Sequence, residues 1–157
     1  MRSGWRLLSA AVMCGAMTCP IAMAARPKLP VPSTWRLDEL RSDFGGGPRL
    51  KSDTFTVSED KPSHLSVSFV SVSADGQTMK SSWSGPQNGE MLPVEGAPGT
   101  LFGINGKGDE HWQFPDGSTL VGVLSVSKDK KTVLVRGVLT GKDGKTYQQV
   151  LMYGLMD

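Results

Sequence analysis

The chain has two histidines, His64 and His111, and neither sits in a pattern that uses its acid–base chemistry. Both fall in runs that alternate as strands do. A Ser-His-Asp set can be assembled from the many serines, but no Gly-x-Ser-x-Gly turn raises one of them as a nucleophile. Asp109, Glu110 and His111 are consecutive. Neighbours on a strand point to opposite faces, so Asp109 and His111 can converge while Glu110 points away. Two ligands fall short of a zinc site unless a distant third, such as His64, joins them. The glycine-rich GINGKGD (103–109) lacks the Lys-Ser/Thr of a phosphate loop, and no helix follows to supply a dipole. Glu90 and Glu95 lie in the irregular stretch GPQNGEMLPVEGAPGT (85–100), where nothing sets the separation that glycoside hydrolysis would need. The expectation is a protein with no catalytic residue, no metal and no cofactor.

The aromatic residues offer binding rather than catalysis. Trp35, Phe55, Phe69, Trp83, Trp112 and Tyr147 are spread over six strand-like runs. In a closed sheet several of them point inward, either filling the core or lining a cavity. Phe55, Phe69, Trp83, Trp112 and Tyr147 are the candidate ligand contacts. Trp35 shares a face with Leu37 on the first strand, and is expected to seal one end of the fold beneath any cavity.

These side chains are positioned by strands. From Asp53 onward the period is two: Phe55 with Val57, Leu65 with Val67 and Phe69, Met79 with Trp83 around Ser81. In the last third, TLVGVLSVS, TVLVRGVLT and TYQQVLMYG carry apolar residues on both faces. Either a cavity faces one side or something covers the other. Ahead of this pattern, Ser33–Leu37 reads as a strand, and Asp38–Asp43 as one helical turn that buries Leu40 and Phe44.

Four turns repeat one chemistry: SVSADGQT at 71–78, PDGST at 115–119, SVSKDKKT at 125–132 and GKDGKT at 141–146. Asp bends the chain through its own side-chain hydrogen bond, and Gly takes the positive φ that follows. That is a short antiparallel hairpin, a type I turn with a glycine bulge. In the third copy Lys130 must take the glycine's place with some strain. The flanks of the copies do not match, so the recurrence is turn physics rather than duplication. The chain is expected to be all-β: an antiparallel up-and-down meander of about eight to ten strands. Closing it into a barrel hides the two sheet edges; a sandwich is the second choice.

Residues 1–24 read as a cleavable signal peptide, with Arg2 and Arg6, an apolar run and the small-x-small site Ala22-Met23-Ala24. Both cysteines, Cys14 and Cys19, fall within it, so the remainder has no disulfide and no thiolate chemistry. Residues 25–32 form a Pro-rich, extended arm, and residues 33–157 the single domain. Without Arg2 and Arg6 the basic residues only match the fifteen acidic ones. No basic stripe invites nucleic acid. The product is expected to be exported, periplasmic or extracellular, and not membrane-spanning after cleavage.

The stretch STWRLDELRSDFGGGPRLKS is similar to the opening of a family of small exported bacterial proteins called lipocalin-like. Its members begin with a Gly-Thr-Trp-Lys-Leu-Asn block, then Ser-Lys-Phe, then Gly-Pro-x-x-Lys-Ser. The matching residues are Thr34, Trp35, Arg36 and Leu37, then Ser42 and Phe44, then Gly47, Pro48, Lys51 and Ser52. SVSADGQT, MLPVEG (91–96) and SVSKDKKTVLVRGVLTGKDGKTYQQVLMY also resemble that family, so the likeness covers 33–153. Ser33 replaces the family's glycine, and Asp43 stands where lysine is common. The resemblance implies a barrel with a potential internal cavity and implies no chemistry. The function expected is non-catalytic binding of a small apolar or amphipathic ligand, with 85–100 as its lid. The alternative is an envelope protein–protein interaction module with a filled barrel and no internal ligand.

Overall fold

The computed structural model describes residues 25–157; the expected signal peptide lies outside the described residues. Ten strands follow in chain order: β1 Ser33–Leu37, β2 Leu50–Lys61, β3 His64–Ser73, β4 Thr78–Gly85, β5 Leu92–Pro93, β6 Leu101–Ile104, β7 Asp109–Gln113, β8 Thr119–Val126, β9 Thr132–Thr140 and β10 Thr146–Leu155. They form one antiparallel sheet in the order β4-β3-β2-β1-β10-β9-β8-β7-β6-β5. β1 joins the two halves, pairing Trp35 with Phe55 on one side and with Leu155 on the other. The sheet curls until its edges meet. The Ser82 and Glu95 backbones exchange two hydrogen bonds of 2.9 and 2.8 Å, which bridges β4 to the residues just after β5. The all-β barrel read from the sequence is the observed architecture.

The four repeated turns are built alike. Gly76, Gly117 and Gly144 have φ of 88°, 87° and 80°, and Lys130 takes the same position at 56°. In each, the N–H of that residue donates to the carbonyl three residues back: Ser73, Phe114, Ser127 or Gly141. Asp116, Asp129 and Asp143 accept the N–H two residues on, at 2.9, 3.1 and 3.1 Å. Three of these four turns therefore bend at glycine, and the remaining one, at 125–132, holds a lysine in the left-handed region that costs an L-residue about 1–2 kcal/mol.

The 38–43 segment makes a turn, not a core helix. Phe44 is buried, but Leu40 is 98% exposed. The chain loops out after Asp38 and returns to pair Asp43 with Val150, so the loop carries Leu40 away from the interior. The outer faces of β8 and β9 are also left open: Val121 and Val123 are 53% and 47% exposed. The inner faces of the same strands bury Leu124, Val133 and Val135.

One barrel end is shut. Trp35 is fully buried, stacks on Phe55 with centroids 6.1 Å apart, and donates its indole N–H to Ser33 Oγ at 2.8 Å. The Pro-rich arm closes the same end. The Arg26 guanidinium donates to both oxygens of Asp60, at 2.9 and 3.0 Å, and to Gln87 Oε1 at 2.9 Å. The Leu29 N–H donates to Asp60 Oδ2 at 2.8 Å, and the Leu29 side chain is buried. Burial alone would raise the Asp60 pKa; the Arg26 hydrogen bonds and charge, the Leu29 N–H and Gln87 outweigh it and hold it below the usual carboxylate value.

Candidate functional site

The barrel is not filled by its own side chains. A cavity of about 330 Å3 runs along its axis, from Leu29 at the shut end to Phe44, Pro48, Met79 and Phe114 at the other. Met79, on this second end, is half exposed. The volume is at the lower end of the range that holds small ligands, about 300–1,000 Å3.

The wall is aromatic because the inward positions of β2, β3, β6 and β7 are. Phe69 meets Trp112 edge-on at 5.2 Å, Trp112 lies over Phe102 at 4.2 Å, and Phe55 meets Tyr153 edge-on at 5.1 Å. Of the five residues singled out from sequence, Phe55, Phe69 and Trp112 line the cavity. Trp83 lies behind the wall, edge-on to Phe102 at 5.0 Å, with its indole N–H unpartnered. Tyr147 sits on the inward side of β10, where its ring covers Gly47 so closely that a Cβ there would come within 2.8 Å. It is outside the lining.

The 85–100 stretch is wall rather than lid. Val94, Ala97 and Thr100 are buried and line the cavity between β4 and β6. Gly96 permits this: its φ is +79°, and a Cβ there would lie 2.5 Å from the Lys80 carbonyl oxygen. Closing the sheet uses this segment as the missing staves, so it is held by backbone bonds instead of swinging free.

Sequence reasoning passed over the polar groups inside. Asp53, Glu110, Gln149 and Tyr153 are all buried and line the cavity. Asp53 is saturated by donors: Tyr153 Oη–H at 2.8 Å and Ser71 Oγ–H at 2.6 Å. Burial pushes its pKa up, while Ser71, Tyr153 and the Thr54 backbone oppose without winning. Tyr153 is driven well above the ordinary phenol value by burial first, and then by the Asp53 charge. Glu110 is pushed up to about 7 by burial; the Trp112 indole N–H opposes this by favouring the charged form, and Asp53 adds to the rise. The available signal was parity. Each group stands two residues from an inward apolar one: Asp53 from Phe55, Glu110 from Trp112, Gln149 from Leu151.

The chemistry-bearing residues outside the barrel do not assemble. His64 Nε2 meets Ser84 Oγ at 2.9 Å, Ser66 Oγ at 3.3 Å and Glu59 Oε2 at 3.8 Å. All three use one nitrogen, so the ring cannot relay a proton from serine to carboxylate. Asp109 accepts from Asn105 Nδ2 at 2.8 Å, and His111 is exposed on the outer face two residues on. Glu90 and Glu95 are exposed. Among the described residues no three His, Cys, Asp or Glu side chains are grouped as metal ligands would be.

No family model and no curated protein matches the chain. Solved structures do. A mutant of the fluorescent protein UnaG aligns with TM-score 0.51 and 17% identity, over 78% of this chain and 94% of that one. A de novo designed fluorescence-activating β-barrel gives 0.47 and 16%, covering 80% and 93%. A redesigned β-barrel gives 0.48 and 13%, covering 81% and 92%. At these identities the likeness is one of fold, and the UnaG alignment carries it.

Proposed function

We propose that this chain is an exported, non-catalytic, lipocalin-like binding protein that holds a small apolar or amphipathic ligand inside its barrel. The observation that carries the reading is the cavity of about 330 Å3, walled by Phe55, Phe69, Phe102 and Trp112 and shut at one end by Trp35 and the Arg26 arm. An empty apolar space of that size forgoes packing contacts that a filled core would have. A ligand supplies them.

Native mass spectrometry of protein purified from its own cell envelope is the test. A retained small-molecule mass, released on unfolding, is the expected result. A bare chain that also fails to enhance the fluorescence of a neutral apolar dye would overturn the reading.

A second reading rests on the exposed outer valines. Val121, Val123 and Val138 form an apolar patch on β8 and β9, and such a patch can mark a partner surface. Crosslinking in the envelope, with sizing by light scattering, separates the two: a clean monomer without a crosslinked partner removes this one.

A further inference from the structure

The strand register sets a row of polar residues and glycines across the barrel wall. Gln149 on β10 stands opposite Gly137 on β9, Gly137 opposite Gly122 on β8, and Gly122 opposite Glu110 on β7. This row crosses four neighbouring strands at one level, and Glu110 and Gln149 at its ends line the cavity. The two glycines between them present no side chain. They also let the strands crowd as the sheet bends, since a Cβ at Gly137 would come within 2.7 Å of the Val121 carbonyl oxygen. Glu110 and Gln149 are therefore three strand spacings apart, roughly 14 Å along the sheet, and Leu120 packs over Gly137 between them.

Both ends of the row are polar and buried. Glu110 and Gln149 are each 7% exposed and line the cavity, and the Trp112 indole N–H is the donor that bears on Glu110. Asp53, by contrast, has donors on both oxygens. A buried carboxylate with so few donors and no cation is costly to ionise. Among the described residues the lining includes no lysine, arginine or histidine. The only charge the lining can offer a ligand is negative, and Glu110 can accept from a donor there.

Resting on the reading of the barrel as a ligand carrier, we propose that the ligand has a hydrogen-bond-donating cationic head, a protonated amine on an apolar body. The head lies against Glu110, and the body lies among Phe69, Phe102 and Trp112. A carboxylate-headed amphiphile of the same length is rejected, because its charge would sit beside Glu110 and Asp53 with no cation to meet it.

Three probes of one chain length test this: n-octylamine, 1-octanol and octanoate, titrated calorimetrically at pH 8 into protein purified from expression of the full chain. The amine is expected to bind at least about tenfold tighter than the alcohol, the scale of one charge-assisted hydrogen bond, and octanoate weakest. In Glu110→Gln the advantage of the amine over the alcohol disappears while octanol binding persists, which separates head recognition from loss of the cavity. If octanoate or octanol binds the unaltered protein as well as the amine does, the head assignment is wrong, though the carrier reading stands. The head assignment is equally wrong if Glu110→Gln keeps the amine preference. If none of the three binds, the carrier reading falls, and the head assignment with it.

Discussion

Glu110→Gln removes a charge while keeping nearly the same shape, so its effect on stability should depend on pH in a way that reports what burial does to this carboxylate. In the folded protein Glu110 holds its proton up to about 7, against 4.5 when exposed. Below pH 4.5 both folded and unfolded chains are protonated there, and the group contributes no pH dependence. Between those values the unfolded chain releases the proton and the folded one keeps it, so unfolding gains ground as pH rises. Above about 7 the loss is complete. At about 1.4 kcal/mol for each tenfold change in proton affinity, the gap amounts to about 3 kcal/mol. That is a large part of a domain stability of about 5–15 kcal/mol.

Glutamine has its own cost, since its buried amide brings N–H donors that the carboxyl did not have, but that cost of about 1–3 kcal/mol is the same at every pH. Asp53 is raised as well and weakens the fold in the same direction, yet it remains in both proteins. The stability of Glu110→Gln minus that of the unaltered protein should therefore climb by about 3 kcal/mol between pH 4.5 and 8. Urea melts at four pH values across that range, on protein refolded from denaturant to shed any bound molecule, give the number. A difference that stays level within about 0.5 kcal/mol, the ordinary scatter of such comparisons, would mean that Glu110 is well solvated and that the interior is wet. Desolvation would then not govern this carboxylate.

Trp35→Ala takes a fully buried indole from the shut end and should cost about 3–5 kcal/mol in denaturant melts; a loss below about 1 kcal/mol contradicts the closure described. Arg26→Ala strands Asp60, whose side chain is 2% exposed, and should cost about 3–5 kcal/mol near neutral pH. Because the Asp60 pKa is depressed, its stabilising contribution is present above the ordinary 3.8 and is lost as pH falls through the folded value. Arg26→Ala should therefore flatten the acid limb of the stability profile. Lys130→Gly relieves a left-handed residue and should gain about 0.5–1 kcal/mol, the backbone strain less the added chain entropy; thermal melts showing a loss would count against the turn geometry.

The fold was readable because its signals are local. Each Asp-Gly turn announces itself in four residues, and alternation from Phe55 to Trp83 sets the inward face without knowledge of what lies opposite. The site was readable only in its apolar part. Phe55, Phe69 and Trp112 line the cavity, whereas Trp83 and Tyr147 have the right parity but sit behind Phe102 and against Gly47. Parity says which way a side chain points, and depth along the barrel axis depends on register, which no single strand encodes. Glu110 shows the same limit from the other side. Alternation separates it from Asp109 and His111, and the face on which that leaves it is the interior. Its place in a row with Gly122, Gly137 and Gln149 follows from three pairings that emerge only when β7 to β10 are laid side by side. Residues 94–100 look like free loop because they carry no period, yet the gap between β4 and β6 needs them.

The strand order also has a consequence for how the chain reaches this state. Nearly every pairing joins strands that are consecutive in sequence, and even the Ser82–Glu95 bridge spans a short loop. Among the strand-to-strand pairings only β1 with β10 brings opposite ends of the described chain together, with the Asp43–Val150 bridge beside it. Short hairpins lose little loop entropy and zip on their own; the ring cannot close until Trp35 finds Leu155 across nearly the whole domain. That distant seam, with the Asp43–Val150 bridge, raises the contact order and slows folding. A circular permutant that links the end of β10 to the arm ahead of β1, and opens the chain between β4 and β5, makes the distant contact a neighbouring one. It should refold faster than the parent while reaching the same barrel.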